Sequence, residues 1–314
     1  MTGYVIRRLV QAVIVTFFVS VIVFALLHAL PGGLVRAQLG PRASQFEVHS
    51  LEVQEGLLKP LPTQYGIWAW HALHGNLGFS YKLNQSVGSL LAEFLPRTLL
   101  LVGSSIFLAL AIAVPLGLWQ GKRRNRFDDH ILTTTTMIFY AMPDFLIGVV
   151  LILALSLSIH VFPSTAANYG SSLSVDTADL VLPVLALCLG NVAYFSRYMR
   201  SATIDSLLED YVRTAYAKGA SSRQVLVRHV LRNSVLSTVT LVGLAIPYIL
   251  SGSLVIEALF DYPGVGLLFW NASQTRDYPI LLGVVLVVTV ATIVGNLAAD
   301  IAYVAIDPRV RYTT

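Results

Sequence analysis

The chain has 314 residues, 55% of them hydrophobic and only 12% charged, with a mean hydropathy of +0.70. A soluble domain carries about 25% charged residues, so this composition excludes a water-covered globule and requires lipid over much of the surface. The net charge of +4 is small, and the single cysteine, Cys188, excludes an internal disulfide and a thiolate metal cluster.

A membrane helix needs about 20 mostly apolar residues, because each rises about 1.5 Å through a hydrocarbon core about 30 Å thick. The first such run covers 9–30 and stops at Pro31-Gly32-Gly33. Arg7-Arg8 ahead of it resemble a secretory leader, but the run is longer than a leader core and no small-x-small site closes it cleanly. It is expected to persist as the first span. Residues 31–95 form the longest stretch between spans, and Trp68, Trp70, Phe79 and Tyr81 suggest short helices at headgroup level. His71 and His74 lack a third ligand there, so no metal site is expected. The second run covers 98–119, and Lys122-Arg123-Arg124 come directly after it. The third, 131–161, is too long for one straight span, and Pro143 inside it should kink the helix. Runs at 180–198, 235–259 and 280–304 complete an all-α, polytopic membrane fold of six transmembrane helices. Cys188 lies in the fourth run and reads as a small hydrophobe.

With the N-terminus inside, fifteen of the 21 Lys and Arg fall on cytoplasmic stretches, and every short loop agrees. Both termini are therefore expected in the cytoplasm. The segment 1–95 reads as a first helix plus an outside segment, and 96–314 as a tighter five-helix core.

The cytoplasmic stretch 203–233 is too polar to span and too apolar for a disordered tail. Ala215, Ala217, Gly219 and Ala220 gather small residues, and Ser221-Ser222 offer an N-cap for a second helix. One reading is helix–Gly–helix, with Gly219 ending the first helix at positive φ. The other is a solvated basic loop, which leaves Leu207, Leu208, Tyr211, Val212, Tyr216 and Val225 unexplained.

The chain carries no G-x-x-x-x-G-K-[ST] phosphate loop, no G-x-S-x-G elbow and no H-E-x-x-H helix. Polar groups at membrane depth are scattered: His28, Asp144, Asn191, Glu257, Asn296 and Asp300. Asp144, next to Pro143, either lines a pathway or satisfies the helix break, and Asn191 is the second pathway candidate. No paired interruptions in two halves suggest an ion-driven carrier. ATP hydrolysis on another polypeptide fits better.

Glu209 to Ala220, continuing to Arg228-His229-Val230-Leu231-Arg232-Asn233, resembles the EAA loop of binding-protein-dependent ABC importer permeases. Arg213-Thr214-Ala215 stands where Glu-Ala-Ala would, Gly219 keeps the glycine, and Leu231-Arg232 replaces Leu-Pro. These departures resemble the peptide/nickel branch, in its dipeptide and oligopeptide permease subunits. Tyr4 to Leu9, Gly75 to Tyr81, Phe260 to Gly266, Arg276 to Pro279 and Asp307 to Tyr312 resemble further elements of that branch, in the same order.

The resemblance implies a type I (MetI-like) core and a machine of two related permeases, two cytoplasmic ATPases and an extracytoplasmic peptide-binding protein. This chain would be a non-catalytic membrane subunit in contact with lipid, with no nucleic acid and no cofactor of its own. ATP and Mg would sit on the ATPases. Arg213, Thr214, Ala215, Lys218, Gly219, Ala220 and Arg228 would form the ATPase-coupling loop, and Pro263, Gly264 and Gly266 an extracytoplasmic docking loop. Nickel chelates, glutathione or haem-type substrates are the alternatives to peptides, and a secondary carrier is the alternative outside the family.

Overall fold

The computed structural model describes residues 2–29, 34–40, 42–54, 56–166 and 177–306. In chain order, helix α1 spans Thr2–His28, followed by the short helices α2 (Leu34–Leu39), α3 (Gln45–Gln54) and α4 (Leu61–Leu73). Strands β1 (Phe79–Ser80) and β2 (Gln85–Ser86) form a small antiparallel hairpin, which the sequence pattern did not announce. Helix α5 runs Val87–Lys122, α6 Phe127–Ala141 and α7 Asp144–Leu151, the last continuing as a wide π-type helix through Ile152–Ser158. Helix α8 spans Thr177–Leu208, α9 Asp210–Ala217 and α10 Ser222–Gln224, with a second wide segment at Val225–Val230. Helices α11 (Leu231–Leu259), α12 (Val265–Thr275) and α13 (Tyr278–Ile306) complete the chain. The terminal motif at 307–312 lies outside the described residues.

Each of the six apolar runs lies mainly on helix among the described residues. Among the described residues, four helices (α1, α5, α8 and α13) are long and apolar enough to cross a bilayer, and five spans result if α6 and α7 make one. Helix α11 is a single helix of 29 residues.

At Pro143 the expected kink is a full break, with α6 and α7 meeting at 104°. The cause is steric. The residue before a proline is pushed out of the helical region, and Met142 accordingly sits at φ −83°, ψ 132°. Pro143 is also extended, at φ −59°, ψ 142°, and starts α7 afresh.

The chain divides into two compact units, Met1–Thr98 with Pro263–Val294, and Leu99–Tyr262 with Gly295–Thr314. In the first, Val87, Leu90 and Leu91 of α5 pack with Val265, Leu268 and Ala272 of α12 and with Tyr278, Leu281 and Val284 of α13. The spacing of these residues puts each set on one helical face. Gly283 leaves α13 bare where Val87 presses against it. The Thr98 hydroxyl accepts from the Val265 N–H at 2.8 Å, fixing the start of α12. Ser80 donates to Asp277 Oδ2 at 2.5 Å, which ties the hairpin to the turn before α13. The outer segment does form short helices, but Trp68 stacks near Phe24 of α1 and Gln64 meets His28 at 3.1 Å, while Trp70 stays exposed. Val13, Phe17, Phe18, Ile22 and Leu26 of α1 are exposed, as a lipid-facing helix requires.

In the second unit α8 is the central helix, packed against α11, α6 and α7. Its core joins Leu182, Ala186 and Leu187 to Leu101 of α5 and to Ile256, Phe260 and Tyr262. Gly117 and Gly121, one turn apart on α5, permit close backbone approach, the small-xxx-small device of membrane helices. A Cβ at Gly117 would sit 2.6 Å from Met199 Cβ and 2.7 Å from the Ser196 carbonyl, and one at Gly121 2.6 Å from Thr203 Cβ. The buried Asp129 on the first turn of α6 accepts from Arg200 Nε at 2.8 Å and Nη2 at 2.7 Å, clamping α6 to α8. The Asn125 N–H adds a third bond to Asp129 at 3.0 Å.

Candidate functional site

The 203–233 stretch is the first candidate, and it has a core of its own. Val212 and Ala215 of α9 pack on Val225 and Val230, with Leu207, Tyr211 and Leu118 around them. That arrangement rules in the helix–Gly–helix reading and explains Leu207, Tyr211, Val212 and Val225, while Leu208 and Tyr216 stay exposed. Gly219 has φ +84°. Its N–H bonds the Tyr216 carbonyl at 2.9 Å, and the Ala220 N–H bonds the Ala215 carbonyl at 3.1 Å. These two bonds are the Schellman closure of a helix, which places a left-handed residue just past the end. Ser221 then starts α10 through a reciprocal capping box with Gln224. Ser206 and Tyr211 are joined by their hydroxyls across the bend into α9.

The candidate coupling residues separate into two groups. Arg213, Thr214, Lys218, Gly219 and Arg228 are exposed, whereas Ala215 is buried and Ala220 half-buried in the loop's own core. Arg213 and Asp210 lie 3.4 Å apart but both are largely in water, so the pair contributes little to the fold. A Cβ placed on Gly219 would meet nothing within 4 Å. The surface at Gly219 is therefore open, with Lys218 exposed beside it.

The second candidate is a cavity of about 400 Å³ between α6, α7, α8 and α11. The structure brings Asp144 and Asn191 together on its wall, beside Tyr140, Tyr194 and Gly190. Gly190 makes room for the carboxylate, since a Cβ there would lie 2.6 Å from Asp144 Oδ1. Asp144 opens α7, where the helix dipole favours a negative charge. Asn191 donates to the Leu187 carbonyl at 2.6 Å. Irregular backbone at membrane depth is tolerated where it lines a cavity, and Met142 of the broken turn is on this wall.

A second cavity, about 230 Å³, is lined by Gln120, Thr133, Arg197 and Arg200, and Tyr140 borders both. Sequence reading missed Tyr140, Gly190, Tyr194 and Arg197 as site residues. Their signal was the spacing of Gly190, Asn191, Tyr194 and Arg197, which falls on one face of a helix.

Of the other residues at membrane depth, His28 bonds the Phe24 carbonyl at 2.8 Å, Glu257 is fully buried, and Asn296 is half-buried on α13. In the third region Pro263, Gly264 and Gly266 are all buried, Gly264 as the N-cap of α12. Exposed side chains nearby include Asp261, Trp270, Asn271, Gln274 and Arg276.

Long apolar helices and a pair of helices broken at a cavity wall that carries Asp144 and Asn191 are the marks of a polytopic membrane protein. Residues 113–312 match the family described as binding-protein-dependent transport system inner membrane component, and residues 1–102 match its N-terminal family. The chain belongs to this family, the permease subunits of ABC importers, in its peptide/nickel branch. It is 35% identical over 316 residues to the oligopeptide transport system permease protein AppB of Bacillus subtilis, covering 99% of this chain and all of that protein. It is 34% identical over 312 residues to the glutathione transport system permease protein GsiC of Escherichia coli, covering 99% and 100%.

Proposed function

We propose that this chain is one half of the translocation pathway of an ATP-driven importer for short peptides. Support for the substrate class comes from relatives named for oligopeptide and glutathione transport, the latter also a small peptide-like anion. The partners are a second homologous permease, two cytoplasmic ABC ATPases and an extracytoplasmic peptide-binding protein, with lipid around the helices. ATP and Mg on the ATPases supply the energy, and this chain performs no catalysis.

Both termini face the cytoplasm, and six helices cross the membrane, the α6–α7 pair making the third span and α11 the fifth. Residues 1–95 supply the first helix and the outside segment, and 96–314 the permease core. Within that core, 203–233 is the coupling loop. The observation that carries this assignment is the loop's construction. It holds its shape by its own buried cluster and Schellman turn, yet presents Arg213, Thr214, Lys218, Gly219 and Arg228 to the outside. A rigid block of that kind transmits a displacement of the ATPases to α8 and α11, between which it is strung. That displacement biases the pathway between two states, inward- and outward-open. The Pro263–Gly266 turn shapes the outer face, and Pro263, Gly264 and Gly266 act there by holding α12 in position under the binding protein.

The test is reconstitution of the complete system in proteoliposomes. Labelled dipeptide should enter only with ATP on the ATPase side and the binding protein on the other. Uptake by this chain alone, driven by an ion gradient, would contradict the proposal.

A further inference from the structure

Among the described residues, the two cavities of the second unit are walled by three with a formal charge, Asp144, Arg197 and Arg200. Arg200 is already committed to Asp129 in a two-pronged ion pair. The other two are not. Neither Asp144 nor Arg197 has an ion-pair partner among the described residues, and they do not pair with each other. A charge inside a span is costly unless compensated, which applies to the half-buried Asp144. Arg197 is exposed and held over the Tyr140 and Tyr198 rings, so the two offer opposite charges to a ligand that reaches both adjoining cavities.

Their arrangement specifies what that is. Asp144 sits against Gly190, and Arg197 lies seven residues further along α8, a rise of about 10 Å. Side chains on a helix lean toward its N-terminus, which brings the guanidinium back toward Tyr194 and shortens the gap. Arg197 is held over the Tyr140 ring at 4.6 Å, and Tyr140 borders both cavities. Planar guanidinium matches a carboxylate, and a carboxylate flanked by tyrosine rings matches an ammonium group. An extended chain advances about 3.4 Å per residue, so two or three residues fit between the charges.

We propose that Asp144 receives the free α-ammonium and Arg197 the free α-carboxylate of a di- or tripeptide, so that this chain itself selects for both charged ends. The inference rests on the importer reading and adds to it a zwitterion site within the permease. Asn191 and Tyr194 lie on the same wall, where the peptide backbone would pass between the two ends.

The experiment uses the permease pair with its ATPases in nanodiscs, without the binding protein, so that selection by the latter is out of play. Equilibrium binding of radiolabelled alanyl-alanine is competed with unlabelled alanyl-alanine, its N-acetyl form and its C-terminal amide. In the wild type each blocked peptide should compete at least about tenfold more weakly, the scale of a lost charge-assisted hydrogen bond. Asp144→Asn should erase discrimination against the N-acetyl form only, Arg197→Gln against the amide only, and Asp144→Glu should keep both. Equal competition by all three peptides in the wild type overturns the site, as does a variant that weakens all three alike. No binding by the permease complex, while the complete system with its binding protein still imports alanyl-alanine, overturns the site and leaves the importer reading standing. Absence of import by the complete system removes both. Should Asp144→Asn fail to assemble, the Asp144→Glu and Arg197→Gln arms decide.

Discussion

Gly219 offers the sharpest separation between a residue that shapes the loop and one that serves as a docking surface. Its φ of +84° is a conformation that other residues adopt at a cost of roughly 1–2 kcal/mol, with asparagine the most tolerant. Nothing lies within 4 Å of a Cβ built there, so no steric term is added inside the chain. Gly219→Asn should therefore weaken the loop by no more than about 1 kcal/mol, roughly a fivefold shift in an equilibrium. If the ATPase surface closes over this point, the same side chain and the charge of Gly219→Asp are trapped in an interface, a far larger penalty. Ala215→Asp is the contrast. It puts a carboxylate among Val212, Val225 and Val230, so it should unfold the loop itself at a cost of several kcal/mol. The assay is co-purification of the ATPases, ATP-dependent uptake and limited proteolysis of the loop. Both Gly219 variants should retain wild-type proteolysis while losing ATPase association and uptake, and Ala215→Asp should lose association with a protease-sensitive loop. Normal uptake by Gly219→Asp with the ATPases firmly bound refutes the coupling assignment.

Three further outcomes are expected. Cysteines at Lys122 and Ser222 should be shielded from an impermeant thiol reagent added outside, and ones at Ser50 and Thr165 should react; outside labelling at Ser222 sinks the both-ends-in topology. Gly117→Leu should sharply reduce the yield of folded permease, because even its Cβ would press into Met199 at 2.6 Å; unchanged yield contradicts the close α5–α8 approach. Arg200→Ala leaves the buried Asp129 carboxylate unpaired and should destabilise by about 3–5 kcal/mol, read as loss of detergent-stable protein, with Asp129→Asn in the same chain restoring part of it; additive losses would show that the two do not act as a pair.

How far the sequence disclosed this architecture depended on whether the signal was local. Gly219, Ser221 and the apolar residues around them announced the turn, the cap and the helix–Gly–helix form, because helix termination and capping are decided within a few residues. Pro143 announced an interruption but not its size. The restriction that proline imposes on Met142 turned the expected kink into a break of 104°. The gathering of small residues around Ala215 does not say which way it faces, and only the packing of α9 on Val225 and Val230 shows it turned inward. At the cavity, Asp144 and Asn191 stood out as polar groups at depth. Gly190, Tyr140 and Arg197 did not, since their roles come from α6, α7 and α8 meeting, and a basic residue near a span end reads first as a topology signal.

The central claim is that this chain moves substrate only as part of an ATP-driven, binding-protein-dependent assembly. The most direct measurement is uptake of labelled alanyl-alanine by proteoliposomes holding both permeases and both ATPases, with ATP and the binding protein supplied or withheld independently. Uptake is expected only when both are present. Uptake that persists without ATP, or that this chain sustains alone, contradicts the claim.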